Sequence, residues 1–298
     1  MSRRLLSPKD VADAIGASES SVRRWIDDGQ IATSRTAGGH RRVAFEEVVR
    51  YVRASGATVV RPDLLGLDLP RAPRQRPPAP DDGERLFEAL RAGDRAVARA
   101  MILGWYVDGR ALPALYDGPV RAAMHAVGEL WRHERRGILD EHRATAICLG
   151  ALAELRALIP PPRADAPVAL GGAAPDDPYL IPTTMAGAVL ADAGFREVNF
   201  GADTPVELLA AEAAARQARL VWLAVSFPEL PPALRAAIRG LARAVEARGV
   251  DVVVGGRCVD AFKLRPSGNL VTVGSMTELA AFARGLRRPR AAAAPAAR

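Results

Sequence analysis

The stretch 167-PVALGGAAPDDPYLIPTTMAGAVLADAGF-195 sets a short apolar run, a loop and a helical run end to end. Between Asp176 and Thr184 the loop carries two acids, two prolines and a tyrosine, but no histidine or glycine. A loop leaving a strand end before a helix is where α/β folds bind ligands. The same alternation recurs downstream. Apolar runs at 196-REVNFG-201, 219-RLVWLAVS-226, 250-VDVVVGG-256 and 270-LVTVG-274 are separated by helical patterns. The helices, the first included, are expected at 184–193, 205–217, 232–248 and 276–287. Five strands alternating with four helices predict a parallel sheet covered on both faces, a Rossmann-like domain over 166–288. The flavodoxin-like strand order 2-1-3-4-5 places the 172–182 loop at a switch point. Residues 289–298 are low-complexity and read as a disordered tail.

Upstream the period changes. From 82 to 160 apolar residues recur at spacings of three and four, as in 84-ERLFEALRAG-93, 95-RAVARAMILGWYVDG-109, 118-GPVRAAMHAVGELWRHERRG-137 and 140-DEHRATAICLGALAELRALIP-160. Four helices with short connections predict a small bundle, with Gly137 ending the third helix and Asp140 opening the fourth. Residues 57–81 read as a linker. Six prolines between Pro62 and Pro80 disfavour helix and point to an extended chain.

The first 56 residues form a separate unit. Ser7 caps a helix with Pro8 in its first turn, Gly16 breaks it, Ser18 caps a second and Gly29 ends that one. Two short helices with a three-residue break form a helix-turn-helix pattern, with Val11, Ile15, Val22, Trp25 and Ile26 as its core. Ser20, Ser21, Arg23 and Arg24 fall on or beside the outward face of the second helix. Two short strands then flank Gly38-Gly39, a hairpin signal, with Arg35, His40, Arg41 and Arg42 around the turn and a helix at 45–53 behind it. This arrangement, the TAGGHRR wing above all, resembles the winged helix-turn-helix of the MerR and excisionase-like DNA-binding families. The resemblance implies double-stranded DNA as partner, with the second helix in the major groove and the wing arginines at phosphates or the minor groove.

Composition permits this without requiring it. The 298-residue chain has a formal charge of +7 and a pI near 10.2, and only Lys9 and Lys263 among its basic residues are lysines. That bias toward arginine, beside so much alanine, fits a GC-rich genome as well as a binding surface. No apolar run reaches the roughly 18 to 20 residues of a membrane span. The start of the chain lacks a signal-peptide core, so a cytoplasmic protein away from membranes is expected. Cys148 and Cys258 lie in apolar surroundings without metal-ligand companions, as buried thiols do in a reducing compartment.

Two further motifs carry a resemblance across the rest of the chain. Trp131 is followed after nine residues by Glu141-His142, and an antiparallel turn would bring the three together at one end of the bundle. The whole order of reader, bundle and α/β domain resembles the CarH and LitR type of light-responsive regulators. These join a MerR-like reader to a four-helix cap and a cobalamin-binding domain. The family's cap carries the same Trp, nine residues, Glu-His, and those residues pack over the upper face of the corrin. Some members place a histidine directly after the Trp; Arg132 stands there in this chain, with His133 next.

The family's lower-face signature is Asp-x-His-x-x-Gly after the first strand, followed later by a strand-end serine and Gly-Gly. Ser226 and the pair Gly255-Gly256 match the latter two. In the loop, Asp177 is kept, Tyr179 stands where the histidine belongs and Pro182 where the glycine belongs. A neutral imidazole is a good nitrogen donor to cobalt, whereas a phenol is protonated and a poor one at neutral pH. The resemblance therefore leaves three outcomes open: cobalamin held without this histidine, another large flat ligand, or none.

The expected function is a transcriptional regulator, not an enzyme. Its C-terminal module would sense a ligand or light, or set the oligomeric state. A reader of this size covers one half-site, so a homo-oligomer is expected. The alternatives are a corrinoid methyl carrier, and a ligand-independent regulator that uses the module only for assembly. No metal-ligand cluster or nucleophile–base arrangement stands out among the four histidines of the chain.

Overall fold

A computed structural model describes residues 4–67, 81–133 and 137–286, with the backbone alone described for 131–133. The chain divides into two compact units, 1–160 and 161–298. The expected disordered tail at 289–298 and most of the proline-rich linker lie outside the described residues.

Unit one opens with the helix-turn-helix. Helices α1 (Pro8–Ile15) and α2 (Glu19–Asp27) are capped by Ser7 and Ser18, and Gly16 makes the left-handed turn between them at φ 66°. At the start of α1 the Ser7 hydroxyl accepts from the Asp10 N–H, while the Asp10 carboxylate accepts from the Ser7 N–H. Strand β2 (Ser34–Arg35) pairs antiparallel with β3 (Arg41–Ala44) across the glycine turn. The pattern did not foretell β1 (Leu5–Leu6), a two-residue strand on the other edge of β3. Helix α3 (Phe45–Ser55) follows. Val11, Ile15 and Val22 are buried as expected. Trp25 and Ile26 are only half-buried, because Trp25 lies at the rim and stacks on Tyr51, with ring centroids 4.9 Å apart.

The expected extended linker begins later than its prolines suggest. Pro62–Leu65 form a 3-10 turn, with Leu65 and Leu67 fully buried and the Val60 N–H donating to the Ala14 carbonyl of α1. Proline at the start of a helical turn loses only a donor that would be unsatisfied anyway.

The bundle contains α4 (Asp82–Ala92), α5 (Arg95–Val107), α7 (Arg121–His133) and α8 (Gly137–Leu158). Before α7 stand a short α6 (Leu112–Leu115) and a π turn, Tyr116–Val120, kinked at Gly118 and Pro119. The third helical run therefore starts at 112 rather than 118. Helix α8 already includes Gly137, three residues before the expected Asp140. Gly83 permits close approach of α4 and α7, since a Cβ there would lie 2.7 Å from that of Ala122. Ion pairs Arg110–Asp82 (2.7 Å) and Arg99–Glu154 (2.6 Å) cross the bundle.

Reader and bundle are packed together. The Arg53 guanidinium of α3 donates to the carbonyls of Tyr106 and Arg110, and Arg99 of α5 donates to the Gly66 carbonyl.

Unit two is a five-stranded parallel sheet of β4 (Val168–Ala173), β5 (Arg196–Asn199), β6 (Ala218–Ala224), β7 (Asp251–Gly255) and β8 (Leu270–Val273). The order is β5-β4-β6-β7-β8, the expected 2-1-3-4-5. On one face, Leu170, Val221, Leu223, Val252 and Val254 form a core with α10 (Val206–Ala215) and α11 (Pro232–Glu246). Helices α9 (Leu180–Asp192) and α12 (Met276–Leu286) pack together on the other. Helix α9 begins four residues before the expected 184. Pro182 is thus its third residue, and proline is tolerated there because first-turn N–H groups have no intrahelical acceptor. The loop shortens to 174–179.

Candidate functional sites

In the reader, the capping chemistry that builds α2 also sets its outward face. The Ser18 hydroxyl accepts from the Ser21 N–H and bonds the hydroxyls of Ser20 and Ser21 at 2.8 and 2.9 Å. One turn on, Arg23 forks onto Glu19 at 2.6 and 3.0 Å. Ser20, Arg23 and Arg24 are exposed and Ser21 is half-buried. In the wing, the Thr36 N–H donates to the His40 carbonyl, the His40 N–H to the Thr36 hydroxyl, and Gly39 turns left-handed at φ 78°. Arg35 and His40 are exposed; Arg41 and Arg42 are half-buried. Arg41 reaches Asp27 at the end of α2, 2.6 Å away. The pattern missed this pair, which lies fourteen positions apart and joins wing to helix.

In the bundle, Glu141 and His142 sit in the first turns of α8. Glu141 accepts from the Thr145 hydroxyl at 3.5 Å, and its other oxygen lies 3.8 Å from the His142 imidazole, itself mostly exposed. The side chain of Trp131, expected beside them, is outside the described residues. Cys148 is fully buried, and burial pushes its thiol up to about 12, so it is neutral and inert.

In the sheet unit, Asp177 is the centre of the loop. Its carboxylate is fully buried and accepts from the Ser226 N–H at 2.6 Å and the Tyr179 N–H at 3.1 Å. This ties the loop after β4 to the end of β6. The neighbouring Asp176 and Asp203 both adopt left-handed backbone (φ 61° and 47°), and the Asp176 N–H donates to the Asp203 carboxylate. Tyr179 occupies the N-cap position of α9 without a side-chain capping bond, and the residue is 54% exposed. Gly255 and Gly256 do not face open space. A Cβ at Gly255 would meet Val273 at 3.1 Å, and one at Gly256 would run into the Val225 carbonyl and the Phe262 ring. At Gly256 the nearest obstacle is backbone, so a side chain there needs the chain to shift.

The pattern overlooked Trp222. In the middle of β6 it pairs with Gly171 of β4, and its indole N–H donates to the Thr183 hydroxyl of α9 at 3.1 Å. The Thr183 hydroxyl bonds Asn199 at 3.1 Å, and the Asn199 amide donates back to the Thr183 carbonyl. The one signal available was a tryptophan inside an aliphatic strand, with a mid-helix glycine, Gly187, upstream of it.

A corrinoid held by a loop histidine does not fit these residues. The loop has no imidazole, and both oxygens of Asp177 accept from backbone N–H groups. Among the described residues no cluster of histidine, cysteine or carboxylate side chains could hold a metal ion. No described helix is long and apolar enough to cross a membrane.

Residues 5–56 match the helix-turn-helix domain family, and residues 83–156 match the B12 binding domain family. No curated protein sequence matches the chain. Among solved structures, it is similar to the monomethylamine corrinoid protein of Methanosarcina barkeri, at 19% identity and TM-score 0.52 over 69% of this chain and 98% of that one. A cobalamin-binding protein from Desulfitobacterium hafniense DCB-2 gives 15% identity and TM-score 0.34 over 70% and 99%. The methanol:cobalamin methyltransferase complex MtaBC from Methanosarcina barkeri gives 15% and 0.32 over 70% and 80%. At such identities the likeness to the first is one of fold. The chain thus combines an N-terminal helix-turn-helix domain with a module of the B12-binding type.

Proposed function

We propose that this chain is a DNA-binding transcriptional regulator in which the B12-type module sets the oligomeric state that engages the promoter. The observation that carries the reading is the exposed α2 face of Ser20, Arg23 and Arg24 beside a wing bearing Arg35, His40, Arg41 and Arg42. Cationic side chains on two adjacent elements suit the spacing of a groove and its phosphates. The module favours a regulator or carrier over a catalyst. A corrinoid carrier would need a cobalt ligand where Tyr179 stands, and would have no use for residues 5–56.

The test is retention of genomic fragments by the full chain at low salt, followed by salt titration. Arg41→Ala with Arg42→Ala should weaken binding to all sequences and flatten its salt dependence, because fewer counterions are released. Ser20→Ala or Arg23→Ala should change sequence preference instead. A full chain that retains no fragment at low salt refutes the proposal.

A further inference from the structure

We propose that Trp222 is a built-in occupant of the gap between the sheet and α9, closing that gap to the nucleotide tail of a corrinoid. This stands apart from the DNA-binding reading and holds whether or not residues 5–56 engage an operator.

The gap has glycine on both walls. On the sheet side Gly171 pairs directly with Trp222, and a Cβ at Gly171 would lie 2.0 Å from the Trp222 carbonyl oxygen and 2.7 Å from the indole. On the helix side, a Cβ at Gly187 would lie 3.8 Å from the far edge of the same ring, at ordinary contact distance. The indole fills the slot between these two walls at 2% exposure. Its one polar atom is satisfied by Thr183 at the top of α9. Indole and benzimidazole are both fused six-five ring systems, so the slot holds one or the other. Interiors are packed to crystal density, and no room remains for a second ring of this size. Expelling Trp222 would remove the indole N–H from which the Thr183 hydroxyl accepts, beside the Thr183–Asn199 bonds that fasten α9 to β5.

The direct test uses the full-length protein, titrated with hydroxocobalamin and with cobinamide, which carries the corrin but no nucleotide tail. Absorption spectra and thermal shift are read for each. Trp222 in the slot gives no preference for the tailed form: both are ignored, or both bind alike while cobalamin keeps its own base on cobalt. Preference for cobalamin by about tenfold or more, with a base-off spectrum, overturns the proposal. In a second arm, Trp222→Ala is offered free 5,6-dimethylbenzimidazole. The folded variant should take up the base and gain thermal stability, while the wild type should not respond. A folded Trp222→Ala indifferent to the base also overturns it. Should that variant fail to fold, Trp222→Leu, which leaves a smaller void, enters the same arm with imidazole and benzimidazole as probes, and the wild-type titration decides independently.

Discussion

The guanidinium of Arg53, near the end of the helix that closes the reader, lies 3.9 Å above the ring of Tyr106 in the bundle. The same group donates to the carbonyls of Tyr106 and Arg110, so one side chain fastens reader to bundle through charge, ring face and backbone. Arg53→Ala should lower stability by about 1–3 kcal/mol, the range for a partly buried cation–π contact with charge-assisted hydrogen bonds. Arg53→Lys should recover only part, since an ammonium lacks the planar fork. Urea denaturation checks both, and equal stability of all three proteins would show the contact to be idle.

Asp27 pairs with Arg41 at 2.6 Å and competes with an outside anion for it. The pair is largely exposed on the aspartate side and contributes little to folding. Asp27→Ala should therefore leave stability within about 0.5 kcal/mol. It should tighten DNA binding and steepen the log–log salt slope by up to about 0.9, one extra phosphate contact. Fluorescence anisotropy at several salt concentrations measures the slope, and an unchanged slope would place Arg41 away from the phosphates.

Asp177 and Tyr179 are two positions apart with opposite expected sensitivities. Asp177→Ala removes the acceptor of two backbone N–H groups and should cost about 1–3 kcal/mol for each one left buried. Protection of the Ser226 amide against hydrogen exchange should fall with it. Tyr179→Ala touches an exposed phenol and should stay within about 0.5 kcal/mol. A larger loss at Tyr179 than at Asp177 would contradict the hydrogen-bond assignment.

Cys148 makes stability depend on alkaline pH. Burial raises its folded-state pKa from an ordinary 9.0 to about 12. Above the ordinary value, unfolding releases a proton that the folded chain retains. The thiol's contribution is complete below that pH and declines as pH rises toward about 12. Cys148→Ala should flatten this decline in denaturation midpoints between the two limits. Thiol reagents at neutral pH should reach Cys258, which is only partly buried, well before Cys148.

The strand positions and the cap serines were legible because their signals are local. An apolar run such as 250-VDVVVGG-256 announces a buried strand, and Ser7 or Ser18 caps a helix through atoms within three residues. Errors arose where one residue type serves two ends. Pro182 reads as a breaker yet is tolerated in a first turn, and Gly137 reads as a stop yet belongs to α8. The contacts of Trp222 were illegible for another reason. Its partners Gly171, Thr183 and Gly187 are 35 to 51 positions away, and only cross-strand register brings them together. Likewise no local pattern pairs Arg41 with Asp27, since the fold alone brings wing and helix together.

The pairing of Gly171 with Trp222 puts all the freedom to change on one side. A Cβ at 171 would meet the Trp222 carbonyl oxygen at 2.0 Å as well as the indole at 2.7 Å, so trimming the side chain at 222 makes no room for a larger residue at 171. The glycine is fixed by the path of the neighbouring strand, whereas the tryptophan side chain is held by its packing and its bond to Thr183. Change at this pair therefore begins at 222, where removing the indole leaves a void of the kind that costs about 3–5 kcal/mol.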